Sequence, residues 1–333
     1  MRTFEALPHS SLPQGTFKTW CGRKDRFLVG VNGQLEAYDA GVKSATMAVS
    51  SAWPVQCSDD GQQLVYVDTR MGYVTKVDIA SGRTQFLASY EVSEVGYAHI
   101  SFSSDLRVVA TNRPLRLNSD GGDLRVIPTR ELGDASAQGS IGKIKWSDDS
   151  SKLFVAYDRA VEVIDAQGRK IGSGPLPKGS YVRDGWFDVG QQELALYLAL
   201  EKDESGPGLI IKCRIADWKC DRLRSRVDSV SVGGRGVMGT ISPLGKTQIP
   251  DDDSTPIYPR YAAELRDTGS NLLVRQIFVT TGGRRNFNVS LAPSGTKAIL
   301  TWHIDPTAGC KPPDARSSYC EQGMMIDLSK VFK

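Results

Sequence analysis

Cys57-Ser-Asp-Asp-Gly-Gln-Gln-Leu-Val-Tyr-Val67 carries the reading of the whole chain. Ser58, Asp59 and Asp60 have short polar side chains that bond back onto a turn backbone, and Gly61 supplies a positive φ at no steric cost. The alternating run Leu64-Val-Tyr-Val67 is an apolar strand leaving that turn. The unit recurs. Ser147-Asp-Asp-Ser150 precedes Ser-Lys-Leu-Phe-Val155, Ser103-Ser-Asp105 precedes Leu-Arg-Val-Val-Ala110, and Ala292-Pro-Ser-Gly295 precedes Thr-Lys-Ala-Ile-Leu300. Looser copies are Ser242-Pro-Leu-Gly245, Phe187-Asp-Val-Gly190 and Gly22-Arg-Lys-Asp25.

The residues just before these turns are Cys21, Cys57, Phe102, Trp146, Trp186, Ile241 and Leu291. They are 36 to 55 residues apart and 45 on average. A second hairpin follows in most units, as in Val77-Asp-Ile-Ala-Ser-Gly-Arg-Thr84 and Ile164-Asp-Ala-Gln-Gly-Arg169. Four antiparallel strands at that period are a propeller blade. The sequence therefore predicts an all-β, seven-bladed β-propeller spanning residues 17–333 as one domain. Residues 1–16 form an N-terminal segment, in which Arg2-Thr-Phe-Glu-Ala-Leu7 is expected to pair with the last blade and close the ring. Closure removes the exposed strand edges that template aggregation.

Cys57-Ser-Asp-Asp-Gly61, Trp146-Ser-Asp-Asp-Ser150 and Val77-Asp-Ile-Ala-Ser-Gly82 together resemble the TolB-like propeller repeat, also called WD40-like. The resemblance covers roughly residues 17 to 330 and implies the radial fold. The TolB propeller has six blades, whereas seven anchors are counted here.

Composition narrows the partners. Lys and Arg number 41 against 38 Asp and Glu, a formal charge of +3 over 333 residues, which gives no clustered basic face for nucleic acid. The longest apolar run, Leu194-Ala-Leu-Tyr-Leu-Ala-Leu200, is far short of the roughly 20 residues that span a bilayer. A monomer is expected.

Six cysteines allow three pairs. Cys213 and Cys220 flank a tight hairpin, Cys310 and Cys320 bracket a Pro-rich loop, and Cys21 and Cys57 occupy the same repeat position in neighbouring blades. The competing readings are six buried thiols or a metal site. The latter lacks any C-x-x-C spacing and has only His9, His99 and His303 to draw on. Three disulfides predict an oxidising compartment, periplasmic or secreted, with a leader trimmed from the chain.

The catalytic inventory is thin, and no catalytic residue, metal or cofactor is expected. Gly234-Arg-Gly-Val-Met-Gly239 fits a dinucleotide fingerprint but is followed by strand and turn, not the helix such a site needs. His303 with Asp305 reads as a strand histidine beside a turn cap in preference to a base and its orienting acid. Asp251-Asp-Asp-Ser254 reads as a solvated loop in preference to a Ca²⁺ site. Asn288-Val-Ser290 is a glycosylation sequon on an expected inner, inaccessible strand. Four long connections, 112–123, 201–208, 249–260 and 305–323, are expected on one rim. Arg113, Arg116, Asp251, Asp252, Asp253, Tyr258, Lys311, Arg316 and Tyr319 are the expected partner-binding residues there, since Arg and Tyr anchor interfaces.

These features predict a non-enzymatic module that binds a protein or peptide through one loop face and the central channel, as an envelope scaffold or an inhibitor. A propeller hydrolase or lyase with a channel site at Asp68, His99 or Asp305 is the first alternative. A carbohydrate-binding propeller is the second, although the six tryptophans do not share one repeat position: Trp146 and Trp186 sit at the anchor and the others scatter.

Overall fold

The computed structural model describes residues 7–22, 25–49, 52–68, 70–90, 99–119, 124–129, 141–188, 190–200, 208–233, 236–246, 259–279, 285–304 and 320–331. They form seven blades around a central channel. Strand β1 (His9–Ser11) is held over for the last blade. Blade one is β2 (Thr16–Cys21), β3 (Arg26–Val31), β4 (Gln34–Asp39) and β5 (Val42–Met47). Blade two is β6 (Ala52–Cys57), β7 (Gln63–Asp68), β8 (Tyr73–Asp78) and β9 (Thr84–Ser89). Blade three contains β10 (Ile100–Phe102) and β11 (Val108–Thr111); the chain then adds β12 (Arg116–Leu117) to blade two and returns as β13 (Arg125–Pro128). Blade four is β14 (Ile141–Trp146), β15 (Lys152–Tyr157), β16 (Ala160–Asp165) and β17 (Lys170–Pro175). Blade five is β18 (Ser180–Phe187), β19 (Glu193–Leu200), β20 (Gly208–Arg214) and β21 (Cys220–Val227). Blade six is β22 (Ser229–Gly233), β23 (Val237–Lys246), β24 (Pro259–Asp267) and β25 (Leu273–Val279). Blade seven is β26 (Arg285–Leu291), β27 (Lys297–Ile304) and β28 (Cys320–Asp327), with β1 as its outer strand.

The turns do what their residues dictate. Ser58 Oγ donates to Asp60 Oδ1 at 2.6 Å, and that oxygen accepts the Gln62 N–H at 2.9 Å. Ser103 with Asp105 and Ser147 with Asp149 repeat the first bond at 2.6 and 2.8 Å. Four residues past the strand end the backbone turns left-handed: Asp25 (φ 56°), Gly61 (69°), Leu106 (60°), Ser150 (58°), Gln191 (54°) and Gly295 (69°). Only two of these six are glycine. The tight hairpin enforces the conformation where the side chain does not favour it.

The same register corrects two anchors. Blade five counts from Phe187, because Gln191 is its left-handed residue. In blade six the first turn joins Gly233 to Val237. Ile241 therefore lies inside β23, and Ser242-Pro-Leu-Gly245 is a bulged stretch of that strand, with the register shifting between Pro243 and Gly245. Of the rejected fingerprint at 234–239, Val237, Met238 and Gly239 begin β23, a strand where a dinucleotide site needs a helix.

Blade three departs from the antiparallel plan. Strand β13 pairs parallel to β11, with Val108 opposite Arg125. The intervening chain crosses the blade edge, where Arg116 and Leu117 pair with Ser89 and Ala88. Ring closure is also shifted. The closing strand was expected at Arg2–Leu7, but the pairing that closes blade seven is His9 opposite Ile326 through Ser11 opposite Met324. Residues 2–6 lie outside the described residues.

Apolar side chains fill the seams between blades. Phe154, Val163, Leu194, Leu196 and Leu198 are fully buried in one such cluster between blades four and five. Each is worth about 1.5–3 kcal/mol of burial. Hydrogen bonds lock the turns of adjacent blades together. Asp59 N–H donates to Ser104 O at 2.8 Å, Ser150 Oγ donates to Ser104 Oγ at 3.0 Å, and Ser151 Oγ donates to Gln191 Oε1 at 2.7 Å. Where the ring closes, Ser294 and Thr296 hydroxyls donate to Asp25 Oδ2 at 2.8 and 2.9 Å. Gly22 and Gly61, both at positive φ, abut so closely that a Cβ on either would strike the other turn's backbone.

Candidate functional site: the central channel

Strands β2, β6, β10, β14, β18, β22 and β26 line the channel. Each runs from the face where the second strand of a blade ends and the third begins, here the loop face, toward the face carrying the locked first turns, here the turn face. On the turn face the channel opens into a cavity of about 560 Å³, lined among others by Trp20, Ser58, Asp59, Ser104, Trp146 and Asp148. A second cavity of about 330 Å³ shares Lys145, Trp146 and Asp148 and extends to Asp188 and Gln191.

The wall below the mouth is charged. Lys145 and Lys143 project from β14 on the same side, two residues apart. Lys145 Nζ lies 3.0 Å from Asp184 Oδ1 on β18, and Lys143 Nζ lies 3.9 Å from the same oxygen. Burial alone would push the Asp184 carboxyl up, but the two ammonium charges and the Gly185 N–H outweigh it and hold it below its ordinary value. Toward the loop face stands His99. Its backbone N–H donates to Asn112 Oδ1 at 2.7 Å, which fixes it at the start of β10. Burial, then the charges of Lys143 and Arg113, keep the imidazole below its usual pKa, so it is neutral at pH 7. On the next seam Arg183 Nη1 donates to Tyr197 Oη at 3.0 Å, and Tyr197 Oη donates to Val227 O at 2.8 Å.

The expected partner-binding residues are placed unevenly. Arg113 follows Asn112 beside His99, on the loop side of the channel. Arg116 lies on β12, at the outer circumference of blade two. Arg116 itself belongs to the two-residue strand handed to the neighbouring blade, so the two arginines do not share a rim. Asp251, Asp252, Asp253, Tyr258, Lys311, Arg316 and Tyr319 lie outside the described residues. Asp68, one of three expected enzymatic positions, caps its own turn by accepting the Arg70 and Met71 N–H groups at 2.8 and 3.1 Å. His303 pairs across strands with Glu321, whose Oε1 accepts the Phe17 N–H at 3.1 Å; Asp305 lies outside the described residues. Asn288 sits on an inner strand as expected, yet its side chain is exposed.

Cys21 bonds Cys57, and Cys213 bonds Cys220. Cys320 is disulfide-bonded as well; its expected partner, Cys310, lies outside the described residues. Among the described residues no cysteine is free, and no group of three or more His, Cys, Asp or Glu side chains could hold a metal. Among the described residues no helix is long and apolar enough to cross a membrane.

Sequence reasoning missed Lys143, Lys145 and Asp184. The signal was present: charged residues sit one and three positions before the anchor Trp146, and two before Trp186, on strands whose inner edge faces the channel.

Solved structures share the architecture. The β-propeller domain of Swd1 from Myceliophteria thermophila is 10% identical, with 96% of this chain and 99% of that one covered and a TM-score of 0.55. An oligogalacturonate lyase in complex with manganese is 11% identical over 98% of each chain, with a TM-score of 0.56. The oligogalacturonate lyase of Vibrio parahaemolyticus is 10% identical over 98% of each chain, also at 0.56. These likenesses show the fold: the chain is a seven-bladed β-propeller. No protein-family model matches it. No curated protein matches it either.

Proposed function

We propose that the protein is an extracytoplasmic, non-enzymatic binding module that receives a segment of a protein or peptide in the turn-face mouth of its channel, as an envelope scaffold or an inhibitor. The observation that carries this reading is the preformed cavity of about 560 Å³. It falls within the roughly 300–1,000 Å³ typical of ligand pockets. Its walls are turns already tied blade to blade, so binding orders little and loses little affinity to ordering. Trp20 and Trp146 at the mouth provide apolar edges beside hydroxyls and carboxylates, a mixture suited to peptide. The disulfides support an oxidising compartment.

Asp148→Trp tests the reading, because Asp148 is exposed at the mouth and lines both cavities. In a pull-down from envelope extract, wild type should retain a partner that the plugged variant loses, with the melting temperature unchanged. Equal recovery by both removes the mouth from consideration.

One observation favours a second reading, a channel hydrolase or lyase: the neutral, half-buried imidazole of His99 is suited to act as a base. Screening the chain against hydrolase and lyase substrates, with and without chelator, decides it. Turnover abolished in His99→Ala would replace the module reading.

A further inference from the structure

Two lysines share one acid in the channel wall. Lys145 is hydrogen-bonded to Asp184 at 3.0 Å, whereas Lys143, at 3.9 Å, is an ion-pair neighbour beyond hydrogen-bond reach. All three N–H donors of Lys143 are therefore unused among the described residues. Its side chain is 38% exposed. On inner strands that exposure opens to the channel. One carboxylate cannot neutralise two ammonium groups, so this stretch of wall keeps a net positive charge. His99 precedes Phe102 by three residues, as Lys143 precedes Trp146 on the adjoining inner strand, and adds a neutral ring to this wall; among the described residues no hydrogen bond reaches that ring. From the turn-face mouth inward the order is Lys145, Asp184, Lys143, His99.

Resting on the module reading above, we infer that Lys143 and His99 form a carboxylate-binding site inside the channel, and that the received segment presents one carboxylate there. The Lys143 ammonium supplies charge and donors, and the imidazole supplies a further N–H donor. Asp59 and Asp148 at the mouth repel a polyanion but admit a segment that is otherwise neutral or basic. The carboxylate comes from the free C-terminus of the segment or from an Asp or Glu side chain.

Three peptides separate these sources: N-acetyl-tetra-alanine as the free acid, the same peptide as its C-terminal amide, and an N-acetylated, amidated tetrapeptide containing one Glu. Each is titrated into the full chain while the ring resonances of its three histidines are followed by NMR. The His99 signal is assigned by its loss in His99→Gln. Saturable movement of that signal with the free acid or the Glu peptide, and none with the neutral amide, is the expected result, and the responding acid identifies the source. Lys143→Gln should weaken that binding about tenfold, the loss of one charge-assisted contact. Lys143→Arg should restore it. Lys143→Gln keeps the Lys145–Asp184 pair, and its circular dichroism should match wild type.

Equal movement with all three peptides, movement with none, or unchanged affinity in Lys143→Gln overturns the inference. So does displacement by inorganic phosphate at the same concentration as the peptide, which marks a general anion site. The two readings fail separately. A partner lost by Asp148→Trp but kept by Lys143→Gln leaves the module standing and removes the carboxylate.

Discussion

Trp146 Nε1 donates to Ser101 O at 3.0 Å, tying the inner strand of blade four to that of blade three. Trp20 makes the same bond to Ser290 O at 3.3 Å, where blade one meets blade seven. The indole thus works as a cross-seam clasp at the strand end. Gln56 bridges the seam between blades two and three differently, using both ends of its amide on the backbone of Phe102. Trp146 is 7% exposed. Trp146→Phe keeps most of the packing and removes a second donor from the Ser101 carbonyl, which stays paired with Ala110 in the β10–β11 ladder, a cost of about 0.5–1.5 kcal/mol. Trp146→Ala adds a cavity and should cost about 3–5 kcal/mol. Urea midpoints of the two variants check the ranking.

The disulfides differ in what they enclose. Cys21 and Cys57 are 36 residues apart and join two blades; Cys213 and Cys220 are 7 apart and close a single hairpin. The chain-entropy model gives about 4 kcal/mol for the first and about 2.5 kcal/mol for the second. Cys21→Ala/Cys57→Ala should therefore lower the urea midpoint more than Cys213→Ala/Cys220→Ala. An equal loss would mean that the blade-to-blade link adds nothing beyond local closure.

The ring was legible because its turns are chemically explicit. A Ser followed two residues later by Asp encodes the Ser58–Asp60 bond in plain sight, and three blades use it. Blade six was misread because Ser242-Pro-Leu-Gly245 imitates a turn, while the true turn after Gly233 lacks Ser and Asp altogether. Blade three hid its strand exchange, since a two-residue strand such as β12 leaves no periodic signal. The wall of the channel was obscured for a different reason. Lys143, Lys145 and Asp184 come from two blades, and only the radial fold brings them together.

Acid sensitivity follows from the turn carboxylates. Asp149 accepts the Ser147 hydroxyl and the Ser151 N–H at 2.8 and 2.9 Å. Burial alone would raise its pKa, but these bonds, with Ser151 Oγ and Gln191, hold it at about 2. A folded pKa below the unfolded value of about 3.9 means stability that is fully present above that value and lost as pH falls toward about 2. Asp149→Asn should therefore be less stable than wild type at pH 5–7, and the gap should close between about pH 4 and pH 2. Denaturant midpoints measured across that range decide it. A gap that persists unchanged at pH 2 would assign the Asp149 effect to packing.

Closure of the ring depends on very little chain. Strand β1 contributes three paired residues, His9 to Ser11, with one further bond on each flank: Leu12 N–H to Gly323 O at 3.0 Å and Asp327 N–H to Pro8 O at 2.9 Å. Without it, the outer edge of β28 presents unpaired backbone groups along a strand containing Met324, Met325 and Ile326, the template that promotes edge-to-edge association. A chain beginning at residue 13 should keep its blades, because it trims only two of the seam clusters, losing Leu7 from the blade-seven cluster and Leu12 from the one between blades seven and one. It should nevertheless melt lower and form concentration-dependent dimers or larger species in light scattering. Adding the peptide Leu7–Leu12 in excess should shift the truncated chain back toward monomer. A truncated chain that stays monomeric at high concentration would show that β28 does not need its partner strand to keep its edge covered.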